Sequence, residues 1–186
     1  MTSFQVHPSL HEVLGEEQTY FEVACIALFA TLGTWLIYTS YYFPNIAEGR
    51  GLIATIVGFI IVADVLAGCI ANFSRGTNNY YASKPKARIV FIISHVHILL
   101  IAWLLEGPLI EAGIVWAFTI GFATVVNRFA GSSYQTFIGA TVMCVGLLLL
   151  PLLQLPNWMA IVSALFMLKV VYSFGVNHYT RFNQST

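Results

Sequence analysis

Apolar residues run along the chain in six long blocks, at about 20–42, 51–73, 88–105, 109–127, 134–154 and 157–177. Each is close to the roughly 20 residues an α-helix needs to cross the hydrocarbon core of a bilayer. None alternates apolar and polar residues as the short strands of a membrane barrel do. Inside lipid every backbone polar group needs a partner within its own segment, so the blocks predict helices. The expected fold is an all-α integral membrane protein, a bundle of six transmembrane helices with a short N-terminal interfacial helix.

The breaks between blocks carry turn chemistry. Phe43-Pro44-Asn45 closes the first, Gly107-Pro108 separates the third from the fourth, and Pro156-Asn157 opens the sixth. Pro151 kinks or ends the fifth. The longest internal connection, Ser74 to Ala87, holds Asn78-Asn79-Tyr80-Tyr81, which reads as a turn with tyrosines at the membrane surface. Ahead of the first block, Ser9-Leu10-His11-Glu12 fits a capping box, so a surface helix is expected over 9–18. The chain divides into an N-terminal segment (1–19), a transmembrane domain (20–178) and a tail (179–186).

Lys and Arg set the orientation. Arg75, Lys84, Lys86 and Arg88 fall in or beside the second connection, Arg128 in the fourth and Arg181 in the tail. The first holds Arg50 balanced by Glu48, and the third holds Glu106 and Glu111. The positive-inside rule places the second and fourth connections and both termini in the cytoplasm.

Composition agrees with this picture. Of 186 residues 58% are hydrophobic and only 9% charged, against about 25% charged in a soluble domain. Eight basic and eight acidic residues cancel, so the basic surface that nucleic-acid binding requires is missing. The partners expected are the lipid bilayer and a lipid-like or small-molecule ligand, with oligomerisation left open. Cys25, Cys69 and Cys144 stand alone in apolar runs and read as inert. The first twenty residues hold Glu12, Glu16 and Glu17 and no Lys or Arg, unlike a cleavable signal.

Ionisable groups within the apolar blocks are the candidates for chemistry. Asp64, His95 and Lys169 lie on three different blocks, at depths of about 14, 10 and 12 Å from the cytoplasmic ends. Asp64, Gly68, Asn72 and Arg75 share one helical stripe, and Gly68 leaves room beside the carboxylate. A polar pocket opening to the cytoplasm follows, with Asp64, His95 and Lys169 as catalytic candidates. Asn72, Arg75, Asn78, Tyr81, Arg88 and Arg128 are the ligand-binding candidates around its mouth. The structural alternative is an Asp64–Lys169 ion pair that only locks two helices together. His95 and His97 point nearly opposite ways on a continuous helix, which rules out a shared metal. His7 and His11, four residues apart with Glu12 beside them, make a weak metal pair or a hydrated helix.

No P-loop, HExxH, GxSxG or Cys/His metal set is present. The lone lysine in Leu168-Lys169-Val170-Val171-Tyr172 resembles the retinal lysine of microbial rhodopsins, which have seven spans against six here. The cofactor is left unknown; haem or retinal would each give a visible absorption band. Three functions fit: an intramembrane enzyme using acid–base chemistry on a lipid-like or apolar substrate, a small proton- or ion-coupled carrier, and an accessory subunit of a membrane complex.

Overall fold

The computed structural model describes residues 2–43 and 50–179. Six helices in it are long and apolar enough to cross a membrane: Tyr20–Tyr42, Leu52–Ala71, Pro85–Leu104, Leu109–Arg128, Gln135–Leu153 and Asn157–Phe174. These six spans are the expected bundle. Pro44, Asn45, Glu48 and Arg181, cited above for the first turn and the charge balance, lie outside the described residues.

The sixth span is the hub. Sixty-one per cent of it is buried inside the protein, against 17–33% of the others, and it packs on the second, fourth and fifth. Its faces carry Val162, Phe166, Val170 and Val171, all inaccessible. The other spans turn one face inward and leave the rest apolar and exposed, as at Leu32, Ile53, Ile110, Phe137 and Leu148. That division suits a bundle whose surroundings are hydrocarbon.

Local chemistry sets most of the ends. Thr19 caps the first span in a reciprocal capping box: the Glu22 N–H donates to Thr19 Oγ1 at 3.2 Å, and the Thr19 N–H donates to Glu22 Oε2 at 2.9 Å. Pro108 and Pro156 stand at the N-caps of the fourth and sixth spans. The fifth tightens into a 3-10 turn from Leu150 to Leu153, with Pro151 in its first turn, and stops at Gln154 in a left-handed conformation.

The N-terminal helix is present but shorter than the capping signal implied. It spans His11–Leu14, after a 3-10 turn at Pro8–Leu10. Residues 17–19 pair as a strand with 3–5, Ser3 facing Thr19. Ser9 is no helix cap; its N–H donates to His7 Nδ1. The whole segment is a small hairpin folded over one end of the bundle. Both described chain ends lie at this hairpin end, as six spans require.

The connection after the second span is not a turn. Arg75–Ala82 is a helix, capped by Ser74 Oγ, which accepts from the Thr77 N–H at 3.3 Å. Its buried side, Thr77, Asn78 and Tyr81, is held by tertiary contacts. The hairpin docks on it. A Cβ at Gly15 (φ +74°) would collide with the Gly76 backbone, and one at Gly76 with the Glu17 carbonyl. Only two glycines allow so close an approach. Thr77 Oγ1 donates to the Val13 carbonyl at 3.3 Å, the Tyr81 hydroxyl to the Glu12 carbonyl at 2.9 Å, and Gln18 Nε2 to Ser74 Oγ at 2.7 Å.

The third span departs most from expectation. It starts at Pro85 and is two helices, Pro85–Ser94 and His97–Leu104, broken at His95-Val96. His95 has ψ +77°, outside the helical region. The polar groups freed at the break are paired again: Trp116 Nε1 donates to the His95 carbonyl at 3.1 Å, His95 Nδ1 bonds the Phe91 carbonyl, and the Val96 N–H donates to the Ser94 carbonyl at 2.9 Å. Irregular backbone at membrane depth persists only where such partners exist.

Candidate functional site at the broken third span

Asp64 sits on the second span and Lys169 on the sixth. Gly68, one turn past Asp64, faces the lysine so closely that any Cβ there would run into its side chain. The missing side chain lets the ammonium reach across. Lys169 Nζ donates to Asp64 Oδ2 at 2.7 Å and to the Asp64 carbonyl at 3.3 Å. Around Lys169 the sixth span widens into π-type turns over Leu168–Phe174, a distortion frequent at functional sites. Asn72 Nδ2 donates to the Lys169 carbonyl at 3.3 Å, and Ser173 Oγ to the Cys69 carbonyl at 2.8 Å. These bonds fix the two spans at the level of the pair.

The pair is buried unevenly. The Lys169 side chain is 4% exposed and that of Asp64 49%. Asp64 follows Ile53, Val57 and Ile60 along the exposed strip of the second span, so its carboxylate opens between the second and third spans.

The helix break brings in two histidines. His97 Nε2 lies 3.5 Å from Asp64 Oδ2, and the His95 and His97 rings are 4.9 Å apart. Two such residues oppose each other only on a continuous helix, and the break at His95-Val96 turns the rings towards one another. His95 is buried on Phe91, with its Nδ1 on the Phe91 carbonyl; that nitrogen carries the proton, and Nε2 is the acceptor of the neutral ring. His97 Nδ1 is buried with no partner. These groups border a cavity of about 220 Å³, whose wall also includes Glu12 and Val13 of the hairpin, Asn72, Tyr81 and Ser94. Among the described residues no three His, Cys, Asp or Glu side chains are placed to hold a metal ion.

The other candidates divide. Asn72 and Tyr81 line the cavity. Asn78 lies buried away from it, Nδ2 donating to the Val176 carbonyl at 3.2 Å. Arg75 is exposed on the helix after the second span, stacked over Tyr179, and Arg128 is exposed at the end of the fourth span. Arg88 does not stand at a mouth. It is 4% exposed, with Nη2 donating to the Phe174 and Gly175 carbonyls at 3.0 Å each and Nε to Asn127 Oδ1 at 2.9 Å. The guanidinium caps the orphan carbonyls at the end of the sixth span. His7 and His11 are each engaged inside the hairpin, His11 Nε2 on the Val6 carbonyl at 2.8 Å. Sequence reasoning missed His97 and Glu12, and no Pro or Gly flags the break that delivers His97. The three cysteines are free, and Cys69 donates to the Leu165 carbonyl.

Compared with known proteins, the chain matches no family model, no curated protein and no solved structure.

Proposed function

We propose that this membrane protein is an intramembrane enzyme performing acid–base chemistry on a lipid-like or apolar substrate, in the cytoplasmic half of the bilayer. One arrangement carries the reading: an ion pair with a half-exposed carboxylate on a lipid-facing strip, beside a histidine nitrogen that has no partner. In this reading His97, on the cavity wall with Nε2 3.5 Å from the Asp64 carboxylate, is the general acid–base group, and the carboxylate balances its charge when it takes up a proton. Lys169 stabilises negative charge developing on the substrate, and the desolvated surroundings strengthen that effect. His95 presents Nε2 as a second acceptor. Substrate arrives sideways from lipid, because the hairpin covers the other approach through Glu12 and Val13. The excess of Lys and Arg in the second connection supports the cytoplasmic placement.

The broken span favours a second reading, a proton- or ion-coupled carrier. Discontinuous helices build the ion sites of many carriers, and Asp64 would exchange Lys169 for a proton or cation. Against it, Ile98, Ile101, Ala112, Met159 and Val162 fill the far half of the bundle with no exposure at all. The cavity beside the charge pair favours either of these readings over an accessory subunit whose polar residues only join helices.

The test is turnover in reconstituted vesicles of total membrane lipid, followed by mass spectrometry of the lipids. The unaltered chain is expected to convert at least one lipid species, and His97→Gln to slow this by about a hundredfold, the lower range of a lost acid–base group. Unchanged lipids together with a proton flux abolished by Asp64→Asn would replace the enzyme by the carrier.

A further inference from the structure

A second hollow adjoins the polar cavity. It is a groove of about 520 Å³ between the first and second spans, lined among others by Thr34, Trp35, Tyr38, Ile56, Ile60 and Ala63. Groove and cavity are consecutive along the second span. Ile56 and Ile60 line the groove, and Asp64 and Gly68, at the same spacing of four, line the cavity. Phe59 and Ala63 lead in the same way to Ala67. Residues four apart stand almost above one another on a helix. A hydrocarbon chain lying in the groove therefore brings its end to Asp64.

The groove has room for such a chain. From Leu52 to Ala63 it runs about 17 Å at the helical rise, roughly half the hydrocarbon core. Ile53, Ile56, Val57 and Ile60 on the same strip are exposed, so the groove is open to lipid along its length. Thr34 Oγ1, buried in this region, has no partner.

The head is defined by what the cavity lacks. Lys169 and Asp64 neutralise each other at 2.7 Å, so no unmatched charge waits for an ionised head group. Asp64 lies seven residues from the end of its helix, about 10 Å inside, where a phosphate or carboxylate is expensive. What the cavity offers instead is neutral polar side chains on its wall, Asn72, Tyr81 and Ser94, beside the two histidine rings. We infer that the ligand of this site is a long-chain lipid with a small uncharged head, a hydroxyl or a carbonyl, whose hydrocarbon chain lies in the groove between the first and second spans. The inference rests on the enzyme reading for the fate of the head group, while binding requires no turnover.

The experiment is photo-labelling of the full chain in nanodiscs with a long-chain alcohol bearing a mid-chain diazirine, followed by peptide mapping. Labels are expected to concentrate on segments 34–38 and 56–63 and to be displaced by unlabelled alcohol. Ala63→Trp, or Ile60→Trp at an exposed position that folding tolerates, should weaken displacement about tenfold, the equivalent of roughly two buried methylenes. Even labelling of all six spans overturns the groove, and displacement by the fatty acid of equal length as efficient as by the alcohol overturns the uncharged head. Selective labelling without lipid turnover keeps this site and removes the enzyme reading alone.

Discussion

Lys169 and Arg88 are two basic side chains buried to nearly the same degree, 3% and 4% exposed, in one small bundle. Their partners separate them. Arg88 faces two carbonyl oxygens at the end of the sixth span and the side chain of Asn127, all held by packed backbone. It does not border the cavity. Lys169 faces a single carboxylate that is half exposed, beside a histidine with one nitrogen unpaired. The first is a closed cap and the second an open pair. Buried charge in a membrane is a default pointer to function, yet here it selects both residues alike. The useful criterion is whether the partners of the charge are themselves sealed.

The comparison can be broken most forcefully at Arg88. Arg88→Met leaves the Phe174 carbonyl and Asn127 Oδ1 without a donor, while the Gly175 carbonyl keeps Gln135 Nε2 at 2.9 Å, and each buried orphan costs about 1–3 kcal/mol. We expect a destabilisation on the order of 3 kcal/mol or more, read as a lower unfolding temperature in detergent. Arg88→Lys should recover less than half of it, because an ammonium lacks the planar fork that spans two carbonyls and Asn127. An unchanged melting curve for Arg88→Met would return this residue to the surface.

A smaller effect is expected at the open pair. Asp64→Asn removes the counter-charge of a deeply buried ammonium but keeps an acceptor oxygen for it, and should cost about 2 kcal/mol, below the roughly 3–5 kcal/mol of a buried pair that loses one partner outright. Lys169→Met leaves an unmatched carboxylate about 10 Å inside the second span, where charge is equally expensive, and should cost a similar amount. The double variant should melt above Asp64→Asn. If the two single losses simply add in the double variant, the groups are not coupled and the pair is no unit.

The smallest effect concerns pH, at the Arg88 end of the sixth span. His178 Nε2 lies 3.1 Å from the Tyr172 carbonyl and 3.2 Å from that of Ser173, and the ring packs on Phe73. Burial first, and then the charge of Arg88, hold its imidazole below the ordinary range, against the opposing pull of the two carbonyls. A histidine kept neutral by the fold gains protons more readily when unfolded. Its contribution is therefore complete above about pH 6.5 and declines as pH falls below that value. The melting temperature should drop on acidification, with a shallower slope in His178→Gln. Equal slopes would locate the titration elsewhere.

The sequence by itself determined the six spans, their even number and the presence of a charge pair in one half of the bilayer. Lipid makes demands that are nearly one-dimensional: enough apolar residues in a row, with backbone bonds closed within each helix. Gly68 beside Asp64 was legible for the same reason, since residues four apart on one helix share a face. What only the tertiary structure decided was which charges are open. Arg88 looks interfacial at the edge of an apolar block, and becomes a cap because the sixth span ends against it, 86 residues away. His95 and His97 look opposed, and come together because Trp116, on another span, satisfies the carbonyl at the break between them. The hairpin over the cavity depends on two glycines, Gly15 and Gly76, whose closeness no local pattern records. In each case the deciding partner lies far along the chain, and helical periodicity reaches only a few residues.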